Sequence, residues 1–92
     1  MNIGRAIRTC RTSRGFTQGD LARKARLSVS HLSLLERGLR DPTMGAVESI
    51  AKALKVPVSI LVFLSAEPDE LGGMTMEVRE KLSALALSLL HD

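Results

Sequence analysis

Aromatic side chains are almost missing from this 92-residue chain, which has no Trp, no Tyr and only Phe16 and Phe63. Without large flat rings the core must be filled by aliphatic residues, and a composition led by Ala, Leu, Arg and Ser favours helix packing. An all-α fold follows. Cysteine occurs once, at Cys10, which excludes an internal disulfide. With only His31 and His91 beside it, soft ligands are too few for a zinc site, so neither a metal nor another cofactor is expected. Cys10 itself, in a helical setting, reads as a packed thiol. No apolar run reaches the ~18 residues needed to span a bilayer. The first fourteen residues carry four arginines and lack the uninterrupted apolar stretch of a signal peptide. These absences predict a soluble, cytoplasmic protein without a membrane partner. Length excludes more: a chain this short buries one modest core and leaves no room for a large catalytic cleft.

What the chain does have is an uneven charge. Residues 1–40 hold nine Lys and Arg against Asp20 and Glu36, whereas residues 41–92 hold four against eight acids. The basic first part suits a nucleic-acid face.

Ile3, Ile7 and Cys10 recur at helical spacing, predicting a first amphipathic helix to about Ser13 that Gly15 ends. Thr17 can cap a second, short helix with Asp20 at the third position, and Leu21, Ala22 and Ala25 form its apolar edge. A turn through Arg26 and Leu27 leads to Ser28, which can cap a third helix bearing Leu32 and Leu35 inward, closed by Gly38. Asp41 and Pro42 mark a loop. Thr43 can cap a fourth helix whose buried stripe is Met44, Val47, Ile50, Ala51 and Leu54, interrupted at Val56 and Pro57. From Val58 to Leu64 nearly every residue is apolar, which period alone assigns to neither helix nor strand; a short fifth helix suits the all-α context. Residues 1–66 thus form one domain. Glu67 to Gly73 reads as a linker, and Thr75 begins a final amphipathic helix of roughly four turns.

Two short helices joined by a tight turn form the arrangement that lays one helix in the major groove while the other crosses the backbone. Thr17-Gln18, Leu21-Ala22, Leu27-Ser28, Leu32-Ser33, Glu36-Arg37-Gly38 and Ile50-Ala51-Lys52-Ala53-Leu54 together resemble the phage repressor and Cro-like (XRE-type) helix-turn-helix family. The resemblance covers about Ile3 to Leu64 and implies a five-helix, lambda-repressor-like DNA-binding domain, here with an added C-terminal helix. It implies that Gln18, heading the second helix, holds a DNA phosphate. The positions matching the base-reading residues are Val29, Ser30, Ser33 and Leu34, with His31 beside them. Relatives often carry Gln, Arg or Asn there, so this chain departs from habit: Val29 and Leu34 offer only apolar contact, best suited to thymine methyls, and specificity leans on serine hydrogen bonds and DNA shape. Arg37, Arg40 and Thr43 match positions that contact phosphates. At Arg26 similar proteins usually carry a left-handed glycine, and another residue there costs on the order of 1 kcal/mol.

Glu36 lies one turn from Leu32 and adjoins Leu35, close to the inward face, where a carboxylate demands a cation. Arg11 continues the Ile3 and Ile7 stripe, and the resemblance pairs the same two positions, so an Arg11–Glu36 salt bridge is expected in a structural role. No nucleophile, metal set or phosphate loop accompanies Glu36, and no enzyme activity is expected.

Beyond the core, Val78, Leu82, Leu85 and Leu89 alternate by four and three residues, broadened by Ala86 and Leu90. Such a helix folds back or meets another chain. In the family the fifth helix often makes the dimer contact, so Val58, Ile60, Leu61, Phe63 and Leu64 join those four as candidate interface residues. The expectation is a homodimeric regulator, a repressor or autoregulator, on a palindromic operator, its reading helices near one turn of DNA apart, about 34 Å. The alternative is an antitoxin or adaptor that grips a protein partner with the residue 67–92 extension.

Overall fold

A computed structural model describes residues 2–66 and 76–88. Six helices follow one another: α1 (Ile3–Ser13), α2 (Gln18–Ala25), α3 (Val29–Glu36), α4 (Met44–Leu54), α5 (Val58–Ser65) and α6 (Met76–Ser88). There is no strand among the described residues. The starts of α1 to α4 are set by side chains three residues away from the amides they satisfy. Asn2 Oδ1 accepts from the amide of Arg5, Thr17 Oγ1 from Asp20, Ser28 Oγ from His31 and Thr43 Oγ1 from Ala46, each at 3.0 Å. Each such cap removes one of the donors that a helix start leaves unpaired.

The ends of α1 to α4 share one device. Gly15, Arg26, Gly38 and Lys55 stand in the left-handed region at φ 75°, 60°, 73° and 58°. The residue after each donates its amide five positions back: Phe16 to Arg11, Leu27 to Ala22, Leu39 to Leu34 and Val56 to Ala51. This is the Schellman closure, which satisfies the last carbonyls. Arg26 thus keeps the backbone that glycine usually supplies in similar turns.

The core lies where α1 crosses the others. Ile7 and Cys10 from α1 meet Leu21 of α2, Leu32 and Leu35 of α3, Ile50 and Leu54 of α4, and Leu61 of α5, all fully buried. α1 packs on α3, α4 and α5, and α2 packs on α3 and α4. The amide of Asn2 donates to the carbonyl of Ser65 at 2.6 Å, tying the start of α1 to the end of α5. Burial pushes the Cys10 thiol up to about 11, against the opposing pull of Arg14.

Two expectations change, and a third falls partly outside the described residues. Met44, placed in the buried stripe of the fourth helix, is 65% exposed: it is the first residue of α4, and burial along the helix begins at Ala46 and Val47. Leu61 and Leu64, expected at a dimer contact, are buried in the protomer's own core, whereas Val62 faces solvent. The linker and Thr75 lie outside the described residues, as do the side chains of Val78, Leu82 and Leu89. Of the stripe expected on the last helix, Leu85 is described and is 63% exposed; it is Leu87 that touches the core.

One contact was not visible in the sequence. Gly4 is buried where α1 crosses the end of α3, and a Cβ there would run into the carbonyl oxygens of Leu35 and Glu36. Those are backbone atoms and cannot rotate away. Gly4→Ala is therefore expected to lower the unfolding free energy by about 2 kcal/mol, seen as a reduced urea midpoint with an unchanged slope, while Gly19→Ala, whose Cβ would meet Thr17 Oγ1 in ordinary contact at 3.7 Å, is tolerated. The Cys10 thiol, in turn, should react with a thiol reagent at neutral pH no faster than the protein unfolds; fast labelling of the native state would contradict its burial.

Candidate nucleic-acid interface

α2 and α3 meet through the turn at Arg26 and Leu27, and the side chains on their outer face define the site. Gln18 from the start of α2, and Val29, Ser30, Ser33, Leu34 and Arg37 from α3, line one open cleft. Val29 and Ser30 are exposed; Ser33 and Leu34 are half-buried. Arg37 lies back along the helix, Nε donating to the Ser33 carbonyl at 3.4 Å. Its charge therefore stays over the cleft.

Not all the candidate residues share it. His31 is half-buried on α3 and does not line the cleft. Arg40 lines a separate polar hollow with Asn2, Gly4, Gly38 and Asp41. Thr43 spends its oxygen lone pair on capping α4, which leaves its hydroxyl hydrogen to donate.

The cleft is braced from beneath. Arg11 Nε donates to Glu36 Oε2 at 2.7 Å and Nη2 to Oε1 at 3.0 Å, a two-pronged pair across α1 and the end of α3. The third nitrogen, Nη1, donates to the Phe16 carbonyl at 2.9 Å, so the guanidinium also holds the turn into α2. Glu36 Oε1 accepts further from Gln18 Nε2 at 3.2 Å. The side chains are 12% and 3% exposed for Arg11 and Glu36. The link between Gln18 and Glu36 was missed in the sequence. It could have been sought there, since a carboxylate has more lone pairs than one Arg fork uses.

The N-terminus of α2 is likewise fixed. Thr17 and Asp20 exchange bonds, the Thr17 amide donating to Asp20 Oδ2 and the Asp20 amide to Thr17 Oγ1, each at 3.0 Å. Hydrogen bonds from Thr17, backbone first and side chain next, hold the Asp20 carboxyl below its ordinary range, with Arg23 adding to the effect. An acid so placed serves the cap and leaves Gln18 in front of the helix amides. No group of acids, histidines and cysteines suited to a metal exists among the described residues, and no described helix is long and apolar enough to cross a membrane.

Comparison with known proteins agrees with this architecture. A family model described as helix-turn-helix matches residues 7–61. The immunity repressor protein of Bacillus phage phi105 is 40% identical over 62 residues, 67% of this chain and 43% of the repressor. The transcriptional regulator ClgR of Mycobacterium tuberculosis is 32% identical over 65 residues, covering 71% of this chain and 58% of that one. The competence pilus inhibition repressor of Acinetobacter baylyi is 36% identical over 74 residues, 80% of this chain and 67% of the repressor. The chain spans about half the length of the first two. The crystal structure of the clp gene regulator ClgR from C. glutamicum superposes with a TM-score of 0.66 at 29% identity, covering 82% of this chain and 91% of that one.

The brace beneath the cleft can be tested by stability. Arg11→Met strands a nearly buried carboxylate and is expected to cost about 3–5 kcal/mol, whereas Arg11→Met combined with Glu36→Leu should recover most of it. Urea titration of the single and double variants checks this; equal losses in both would mean the pair acts through packing alone.

Proposed function

The chain belongs to the helix-turn-helix family, and from that premise we propose that it is a sequence-specific DNA-binding transcriptional regulator that occupies a palindromic operator as a homodimer. The observation that carries this reading is the braced cleft of Gln18, Val29, Ser30, Ser33, Leu34 and Arg37. α3 enters the major groove with Ser30 and Ser33 bonding base edges and Val29 and Leu34 against thymine methyls. His31, beside the cleft, reaches a base only at its margin. Gln18 bonds a backbone phosphate with the amide hydrogen that Glu36 leaves unused, while Arg37, Arg40 and Thr43 hold phosphates beyond. Relatives named repressors and transcriptional regulators favour this reading over a protein-gripping adaptor. The protein acts in the cytoplasm, where its operator is.

A second copy fits across α5. Val58 and Val62, one turn apart, border an apolar hollow with Ile3, Pro42, Met44 and Val47, and Val62 and Met44 are 42% and 65% exposed. Together with the exposed Leu85 these residues replace Leu61 and Leu64 in the dimer contact; Ile60 and Phe63, half-buried against the core, contribute their edges.

The experiment is selection of an operator from a random duplex library by the full chain, followed by fluorescence anisotropy across a salt series with sedimentation alongside. Dimeric binding should prefer the selected duplex by roughly a thousandfold or more over a scrambled one. Ser33→Ala should relax preference at one base step of each half-site by about 1 kcal/mol, the low end of the range for a base contact, Arg37→Gln should lower the salt slope of the dimer by about 1.8, one contact from each copy, and Val62→Asp should shift sedimentation to the monomer. Equal weak binding to selected and scrambled duplexes would sink the reading.

A further inference from the structure

Four cations gather away from the reading cleft. Lys24 and Arg26 at the end of α2, and Lys52 and Lys55 at the end of α4, line a second open cleft around Ser49, with Ala25 and Ala53 as its floor. It shares no residue with the cleft built from Gln18 and α3. No acid lines it. Glu48 stands one turn before Lys52 without an ion pair to it, and the described acids that do pair, Glu36 and Asp20, are engaged with Arg11 and Arg23. Lys24 lies over the Phe16 ring at 5.4 Å; Arg26, Lys52 and Lys55 have no side-chain partner among the described residues.

Attraction to the carbonyl ends of α2 and α4 accounts for part of this clustering. It does not account for all of it. Arg14 already donates to the Leu54 carbonyl at 3.1 Å and to the Lys55 carbonyl at 3.4 Å, so the end of α4 has its cation. The backbone offers an independent sign. Four helix ends require a left-handed residue, and the chain uses glycine at the two away from this cleft, Gly15 and Gly38. At the two that line it, it accepts the strain of Arg26 and Lys55. Strain retained where glycine would relieve it marks a side chain with a task.

The lining says what kind of partner. Protein interfaces are anchored by large apolar or aromatic residues, and here the apolar part of the cleft is two alanines. A lining of Lys, Arg and a Ser hydroxyl is the chemistry that takes nucleic-acid phosphates. Arg26 is two residues from Ser28, the cap of the reading helix, so the near edge of the cleft adjoins the DNA-facing surface. We propose that the Lys24, Arg26, Lys52 and Lys55 cleft holds the phosphate backbone of the duplex flanking the operator, a second electrostatic contact that draws neighbouring DNA along the side of the domain. This rests on the DNA-binding reading above.

The test pairs two duplexes with two proteins: the selected operator alone and the same operator extended by about two helical turns, roughly 20 bp, on each side, against the parent chain and the Lys52→Gln/Lys55→Asn variant, with circular dichroism to establish folding. Asn tolerates the left-handed backbone at position 55. For the parent, extension should raise affinity about tenfold and steepen the salt slope by about 2 or more. The variant should match the parent on the short duplex and lose that gain on the long one. If extension changes nothing for the parent, if the variant keeps the full gain, or if it weakens both duplexes equally, the cleft does not hold flanking DNA. Scrambled duplexes of both lengths run alongside separate the two claims: loss of operator preference overturns the regulator reading, while an unchanged slope between parent and variant on long DNA overturns the cleft. Capture of an acidic peptide without a length effect on DNA would likewise overturn it, in favour of a protein partner.

Discussion

The Arg11–Glu36 pair is the constraint on which the rest of the molecule depends. Its three guanidinium nitrogens reach the end of α3 and the turn that opens α2, and its carboxylate takes the Gln18 amide as well. One ion pair therefore ties the end of α3 to the turn that opens α2. A hydrophobic pair of similar volume could hold α1 against α3 as firmly. It could not also orient Gln18, nor hold the Phe16 carbonyl. The pair thus specifies one arrangement of helices more than it adds to stability, and Gly4 serves the same end by letting α1 approach the backbone of Leu35 and Glu36.

Short helices make such constraints necessary. α2 and α3 have eight residues each, below the length at which a helix is stable alone. They persist because both ends of each are satisfied within the local chain and because Leu21, Leu32 and Leu35 are buried against α1 and α4. The left-handed closure at Arg26 does two jobs at once, ending α2 and turning the chain so that Ser28 can cap α3.

Much of this was legible in the sequence because it is local. Thr17, Ser28 and Thr43 act on amides three residues ahead, and a cap of that kind can be read from residue type and spacing. Arg11 and Glu36 were legible for another reason: a carboxylate beside two inward leucines must have a partner, and few cations lie on an inward stripe. What the sequence hid depends on distant chain. Gly4 matters only because α3 crosses it. Met44 obeys the period of its helix, yet period says nothing about how far the core extends along the axis. In α5 nearly every residue is apolar, so no phase separates Leu61 and Leu64, which fill the core, from Val58 and Val62, which border the hollow. Lys55 as a helix end was masked by Pro57, which already announces a stop.

The sparse chemistry of the reading helix bears on the charge around it. On the proposed reading, a groove face built from Val29, Ser30, Ser33 and Leu34 lacks the two-pronged base contacts that Arg, Gln or Asn supply. Each serine bond or methyl contact discriminates less, so occupancy of one site over its neighbours must draw on DNA shape and on contacts that cost the duplex energy to reach. On the same proposal, cations placed off that face convert a bendable flanking sequence into affinity without touching a base. A weakly lettered helix and a charged flank are in that sense one design, in which the backbone carries what the base edges do not.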